Sequence, residues 1–83
     1  LSVFPNPSAG NFNIQLPQEM SVNKCNVGIY DIAGKELFSS EFSSNSSFVT
    51  INEKLTSGMY FIKLQYEKNS ELHVYTGKVT ITE

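Results

Sequence analysis

At 83 residues, with a formal net charge of −2 and 40% apolar residues, the chain is sized for one domain that buries about 60–65% of its unfolded surface. All six basic residues are lysines, which lack the planar fork of arginine, so nucleic acid is not expected as a partner. The lone cysteine, Cys25, excludes an internal disulfide, and no apolar run approaches the ~18 residues of a membrane span.

The chain opens at Leu1 with no initiator Met and no apolar signal core, so residues 1–83 are expected to be a piece of a longer protein, with any export peptide upstream. Short blocks of alternating apolar and polar residues, divided by turn formers, predict an all-β fold. The first strand runs Ser2 to Phe4 and stops at Pro5, which lacks an N–H and holds Phe4 extended. Ser8-Ala9-Gly10-Asn11 reads as a turn. Phe12, Ile14 and Leu16 then share one face until Pro17 ends the strand, and in the third block Cys25, Val27 and Ile29 face inward. Asp31-Ile32-Ala33-Gly34-Lys35 predicts a tight connection. There the Asp31 carboxylate accepts backbone N–H bonds and Gly34 takes the positive φ that the reversal requires.

From Glu36 to Phe42 apolar residues stand at 37, 38 and 42, a change of parity that predicts a bulge. Ser39, Ser40 and the polar run Ser43 to Ser47 predict an exposed loop. Phe48 to Asn52 resumes a strand, with Val49 and Ile51 inward and Leu55 closing over them. After a turn at Thr56-Ser57-Gly58, the residues Tyr60, Ile62, Leu64 and Tyr66 line one face of the longest strand. Glu67 to Glu71 predicts a polar hairpin tip. In the last block Leu72 and Val74 have one parity and Val79 and Ile81 the other, so a bulge or kink is expected at Thr76-Gly77. About seven short strands with closely spaced turns predict an Ig-like or fibronectin-like antiparallel β-sandwich.

Catalysis needs a nucleophile, a base and an orienting group, and one His, one Cys and one Asp at unrelated spacings predict no active site. His73, between Leu72 and Val74, reads as an exposed strand residue. Cys25 follows Lys24, whose ammonium favours a thiolate, yet its parity with Val27 and Ile29 reads as core. No cofactor or metal site is expected, since four clustered Cys or His for zinc and closely spaced acids for calcium are both missing. Asn45-Ser46-Ser47 matches a glycosylation triplet but reads as a flexible loop. Tyr30, Phe61 and Tyr75 read as outward aromatics whose role is cross-strand packing rather than sugar binding.

In order, Val3-Phe4-Pro5-Asn6-Pro7, Gly10-Asn11-Phe12, Val27 to Lys35, Leu55-Thr56-Ser57-Gly58-Met59-Tyr60 and Lys78-Val79-Thr80-Ile81 resemble the type A C-terminal sorting domain of the type IX secretion system. The resemblance covers nearly the whole chain. It implies a seven-stranded Ig-like domain of Bacteroidota that carries an N-terminal cargo, already in the periplasm, to an outer-membrane translocon. It also implies that a sortase-like peptidase commonly removes the domain, leaving the cargo extracellular or on the cell surface. The positions that carry the motif over are Pro5, Asn6, Pro7, Asp31, Gly34, Lys35, Gly58, Tyr60, Lys78, Val79 and Ile81. Most have a packing reason; Lys78 has none, so the exposed end of the terminal strand is expected to supply the recognised contact by edge pairing or a groove. Glu83 departs from the basic or apolar ending frequent in the family. The leading expectation is a non-catalytic, monomeric sorting domain. The alternative is an Ig-like or fibronectin-like binding or spacer module, for instance one for carbohydrate, appended to an extracellular enzyme.

Overall fold

The alternating blocks become seven strands in a computed structural model that describes residues 1–18, 24–43 and 47–82. They are β1 (Val3–Phe4), β2 (Phe12–Gln15), β3 (Lys24–Tyr30), β4 (Glu36–Ser43), β5 (Phe48–Ile51), β6 (Gly58–Lys68) and β7 (Glu71–Ile81). Two antiparallel sheets result, β1-β2-β5 and β4-β3-β6-β7, the three-plus-four division of a fibronectin-like sandwich. No helix of the structure is long and apolar enough to cross a membrane. Asn45 and Ser46 of the glycosylation triplet, Ser44 and Glu83 lie outside the described residues.

The inward parities place Phe12, Ile14 and Leu16 on one side of the core, with Val49 and Ile51 beside them. Opposite stand Cys25, Val27, Ile29, Tyr60, Ile62, Leu64, Tyr66, Val79 and Ile81, all buried in one cluster. Leu55 packs against that cluster, as expected. With no disulfide to constrain the chain, this packing carries the fold, each fully buried Val, Leu, Ile or Phe contributing about 1.5–3 kcal/mol.

The change of parity in β4 is a bulge. Ile29 pairs with Phe38 and Tyr30 with Glu36, so Leu37 is the extra residue and points to solvent, while Phe38 and Phe42 keep the inward side. Ser39 and Ser40, expected in a loop, are instead ladder residues of β4, opposite Gly28 and Val27. Ser39 faces solvent, and Ser40, on the side of Phe38 and Phe42, is only half-buried in this edge strand.

Three further expectations are corrected around the last hairpin. Its tip is only Asn69-Ser70, both at positive φ (54° and 64°), a two-residue turn whose twist suits a hairpin. No bulge interrupts Thr76-Gly77: β6 and β7 pair in one register from Lys68↔Glu71 to Gly58↔Ile81. Gly77 answers instead to a close neighbour, since a Cβ there would lie 3.2 Å from the Leu1 Cβ and 3.3 Å from the Leu1 carbonyl oxygen. The unbroken register turns Leu72 and Val74 outward and brings His73 and Tyr75 to the inner face. His73 stacks on Tyr66 at 5.0 Å and Tyr75 packs against the core, so neither is the exposed residue the local pattern implied.

Candidate functional site

The first and last motif blocks meet at the outer edge of β7. After β1 the chain leaves the three-stranded sheet at Pro5, passes two cis X–Pro bonds at Phe4-Pro5 and Asn6-Pro7, and runs along the four-stranded sheet. Asn6 Nδ2 donates to the Lys78 carbonyl (3.1 Å) and the Thr80 N–H donates to Asn6 Oδ1 (3.0 Å). One side-chain amide thus satisfies a donor and an acceptor of β7, as a neighbouring strand would. Ser8 continues with real backbone: its N–H donates to the Thr80 carbonyl and the Thr82 N–H donates to the Ser8 carbonyl, both at 2.8 Å, forming a parallel bridge to Ile81. Ser8 is anchored in turn. It is buried, its hydroxyl donates to the Asn11 carbonyl (2.7 Å), and Gly10 N–H donates to that hydroxyl (3.1 Å). The proline-flanked asparagine is therefore a strap over the terminal strand, between residues separated by more than 70 positions in sequence.

The same end of the sandwich holds the other blocks. In the β3–β4 turn, Asp31 Oδ1 accepts from Ala33 N–H and Lys35 N–H, both at 2.9 Å, while Gly34 at φ 87° donates to the Asp31 carbonyl. Asp31 is thus committed to holding a turn. At the start of β6, the Tyr60 hydroxyl donates to the Thr56 carbonyl four residues upstream at 2.6 Å, a tyrosine corner. Gly58, at φ 152°, opens β6 opposite Ile81, two residues before Tyr60. Val79 and Ile81 are core residues.

What packing leaves over lies on the outer face. Tyr30 pairs with Phe61 and Phe61 with Lys78, so an aromatic, an aromatic and a cation stand in one row across β3, β6 and β7. Lys63 lies 5.8 Å from the centre of the Tyr30 ring, and Met59 and Ile32 at this end are exposed. Lys78 is exposed as expected, but the edge of its strand is not open there, because Asn6 and Ser8 occupy it from Lys78 to Thr82. Edge pairing at Lys78–Thr82, one of the two expected modes of recognition, is therefore excluded while the strap is docked. Ser8 lies outside the motif blocks, and Thr56, though inside one, is not among the eleven positions carried over. The only sequence signals for them are a small polar residue after Pro7 and a Thr four positions before Tyr60.

The far end of the sandwich carries no motif residue. A groove of about 360 Å³ there is lined by Lys24, Cys25, Glu41, Tyr66 and Glu67 among others. Burial, and after it the Glu41 carboxylate, push the Cys25 thiol above the ordinary thiol range, away from nucleophilic thiolate chemistry. Among the described residues no group of three or more His, Cys, Asp or Glu could hold a metal ion.

Residues 2–81 match the family model described as the secretion system C-terminal sorting domain. The chain belongs to this family. It is the type IX sorting-domain family that the five motif blocks resemble, and membership makes the chain a non-catalytic signal for export across the outer membrane to the cell surface or extracellular space. An endo-acting ulvan lyase of Formosa agariphila is 34% identical to the sorting domain over 71 residues, covering 86% of this chain and 13% of the lyase. The sorting domain thus spans a small fraction of the length of this curated relative.

Proposed function

We propose that the sorting domain is the address of a longer secreted protein. A cargo joined ahead of Leu1 reaches the periplasm by its own signal peptide, the domain brings it to an outer-membrane translocon, and a sortase-like peptidase then removes the domain, leaving the cargo released or surface-attached. The observation that carries this reading is the match of residues 2–81 to the secretion sorting-domain family. The eleven motif residues divide accordingly. Pro5, Asn6, Pro7, Asp31, Gly34, Gly58, Tyr60, Val79 and Ile81 build the end of the sandwich, and Lys35 and Lys78 are exposed there. Lys78, in its row with Phe61 and Tyr30, is the contact read by the translocon.

The test is an exported fluorescent protein joined ahead of residues 1–83 in a Bacteroidota host. Removing residues 78–83 would also remove the core residues Val79 and Ile81, so it would report on folding as much as on recognition. Lys78→Glu separates the two. An exposed substitution of this kind changes stability by no more than about 0.5 kcal/mol, so the thermal midpoint of the variant should stay in place while export of the reporter falls. Undiminished export of a folded Lys78→Glu fusion would remove Lys78 from the recognition surface.

A further inference from the structure

The strap covers only part of β7. The alternation that turns the Lys78 carbonyl and the Thr80 and Thr82 amides toward Asn6 and Ser8 turns the N–H and C=O of Leu72, Val74 and Thr76 to the same side. β7 ends its sheet, so among the described residues no strand pairs with these groups. The opposite edge of the sheet is defended: β4 carries the Leu37 bulge, Glu36, Glu41 and a serine-rich face. Leu72 to Thr76 has none of these devices. It contains no Lys, Glu or Pro, its register is unbroken, and Leu72 and Val74 are 62% and 48% exposed. An open, straight, apolar edge beside a defended one is a pairing site.

We propose that Leu72–Thr76 is a docking edge that receives one extended segment of the secretion machinery as an added strand. Such a strand has apolar side chains against Leu72 and Val74 and a carboxylate that meets Lys78. The proposal rests on reading the domain as a sorting signal. Ser8 shows that this edge of β7 accepts another backbone in a ladder, and Asn6 fixes where the open stretch stops. The cation sets the chemistry of the partner. A second copy paired antiparallel about Val74 would set Leu72 across from Thr76, the last open position before Lys78, and leave the ammonium unanswered, whereas a carboxylate at that end of an incoming strand neutralises it.

The test uses Val74→Pro and Val74→Lys in the reporter fusion, with thermal unfolding of each purified variant. The Val74 N–H points away from β6, so proline removes a docking donor without breaking a ladder bond, and lysine installs the charge by which natural edges repel strands. Both variants should keep the wild-type unfolding midpoint within a few degrees and lose roughly ten-fold or more in exported reporter, the worth of one or two pairing bonds. Val74→Lys alone decides the matter if Val74→Pro does not fold. Wild-type export by a folded Val74→Lys fusion overturns the docking edge. So does a wild-type domain that is dimeric by light scattering and made monomeric by Val74→Lys, which would assign the edge to a second copy. Failure of the unmodified fusion to be exported defeats the sorting reading instead, and the two failures are therefore distinguishable.

Discussion

At the scale of single residues, the motif is largely a set of backbone instructions. Tyr60 is buried in the core yet spends its hydroxyl on the Thr56 carbonyl, which pins the β5–β6 connection to the strand that follows it. Tyr60→Phe keeps the ring and removes the bond, so the expected loss is about 1–2 kcal/mol, or on the order of 4–16 °C in melting temperature for a domain of this size. A calorimetric scan measures it. Cys25 makes a prediction of the opposite kind, about pH. Its pKa is raised in the folded state, so the folded chain holds the thiol proton more tightly than the unfolded one. The stabilisation is complete below the ordinary thiol range and is lost as pH climbs through the raised folded value. Urea midpoints measured across the alkaline range should fall in wild type, and fall less steeply in Cys25→Ala whatever that variant loses in packing.

At the scale of elements, register decides more than local composition. The β4 bulge reconciles Leu37 with the alternation of Phe38 and Phe42, and it shows which deletions the strand tolerates. Removing Leu37 leaves Glu36 and Phe38 consecutive, a regular ladder with both phenylalanines still inward. Removing Ser39 turns one of them to solvent. Urea unfolding is expected to rank the Ser39 deletion as the more costly by about 1–2 kcal/mol, the value of re-exposing a half-buried aromatic. The β6–β7 pair gives the complementary lesson. The sequence around Thr76-Gly77 carries the mark of a bulge, but a glycine in a strand answers equally to a bulge or to a close neighbour, and the neighbour is Leu1, far away along the chain.

At the scale of the whole molecule, the first eight residues tie the two sheets together. β1 pairs with β2 in one sheet, and Asn6 and Ser8 pair with β7 in the other. Asn6→Ala removes two solvent-exposed bonds and should cost about 1 kcal/mol, with faster hydrogen exchange at Thr80 and unchanged exchange at Ile62. Deleting residues 1–8 removes β1 and the entire strap, and should cost about 3 kcal/mol or more, since bonds on both sheets and the packing of Val3 go together. Equal losses from the two changes would mean that the strap contributes nothing beyond Asn6.

Period and punctuation in the sequence determined the all-β class, the inward faces of Phe12–Leu16, Cys25–Ile29, Val49–Ile51 and Tyr60–Tyr66, and the Asp31 turn, because each depends on residues within a few positions of one another. The five motif blocks were legible as a family signature in the same way. Their convergence on one end was not. Asn6 and Lys78 look like unrelated fragments until the sandwich closes and places a side-chain amide on a strand edge more than 70 residues away. The inward turn of His73 and Tyr75 and the open edge at Leu72–Thr76 were also tertiary decisions. Those depend on which strand lies beside β7 and which segment covers it, and hydrogen bonding between distant segments leaves no periodic trace in the sequence.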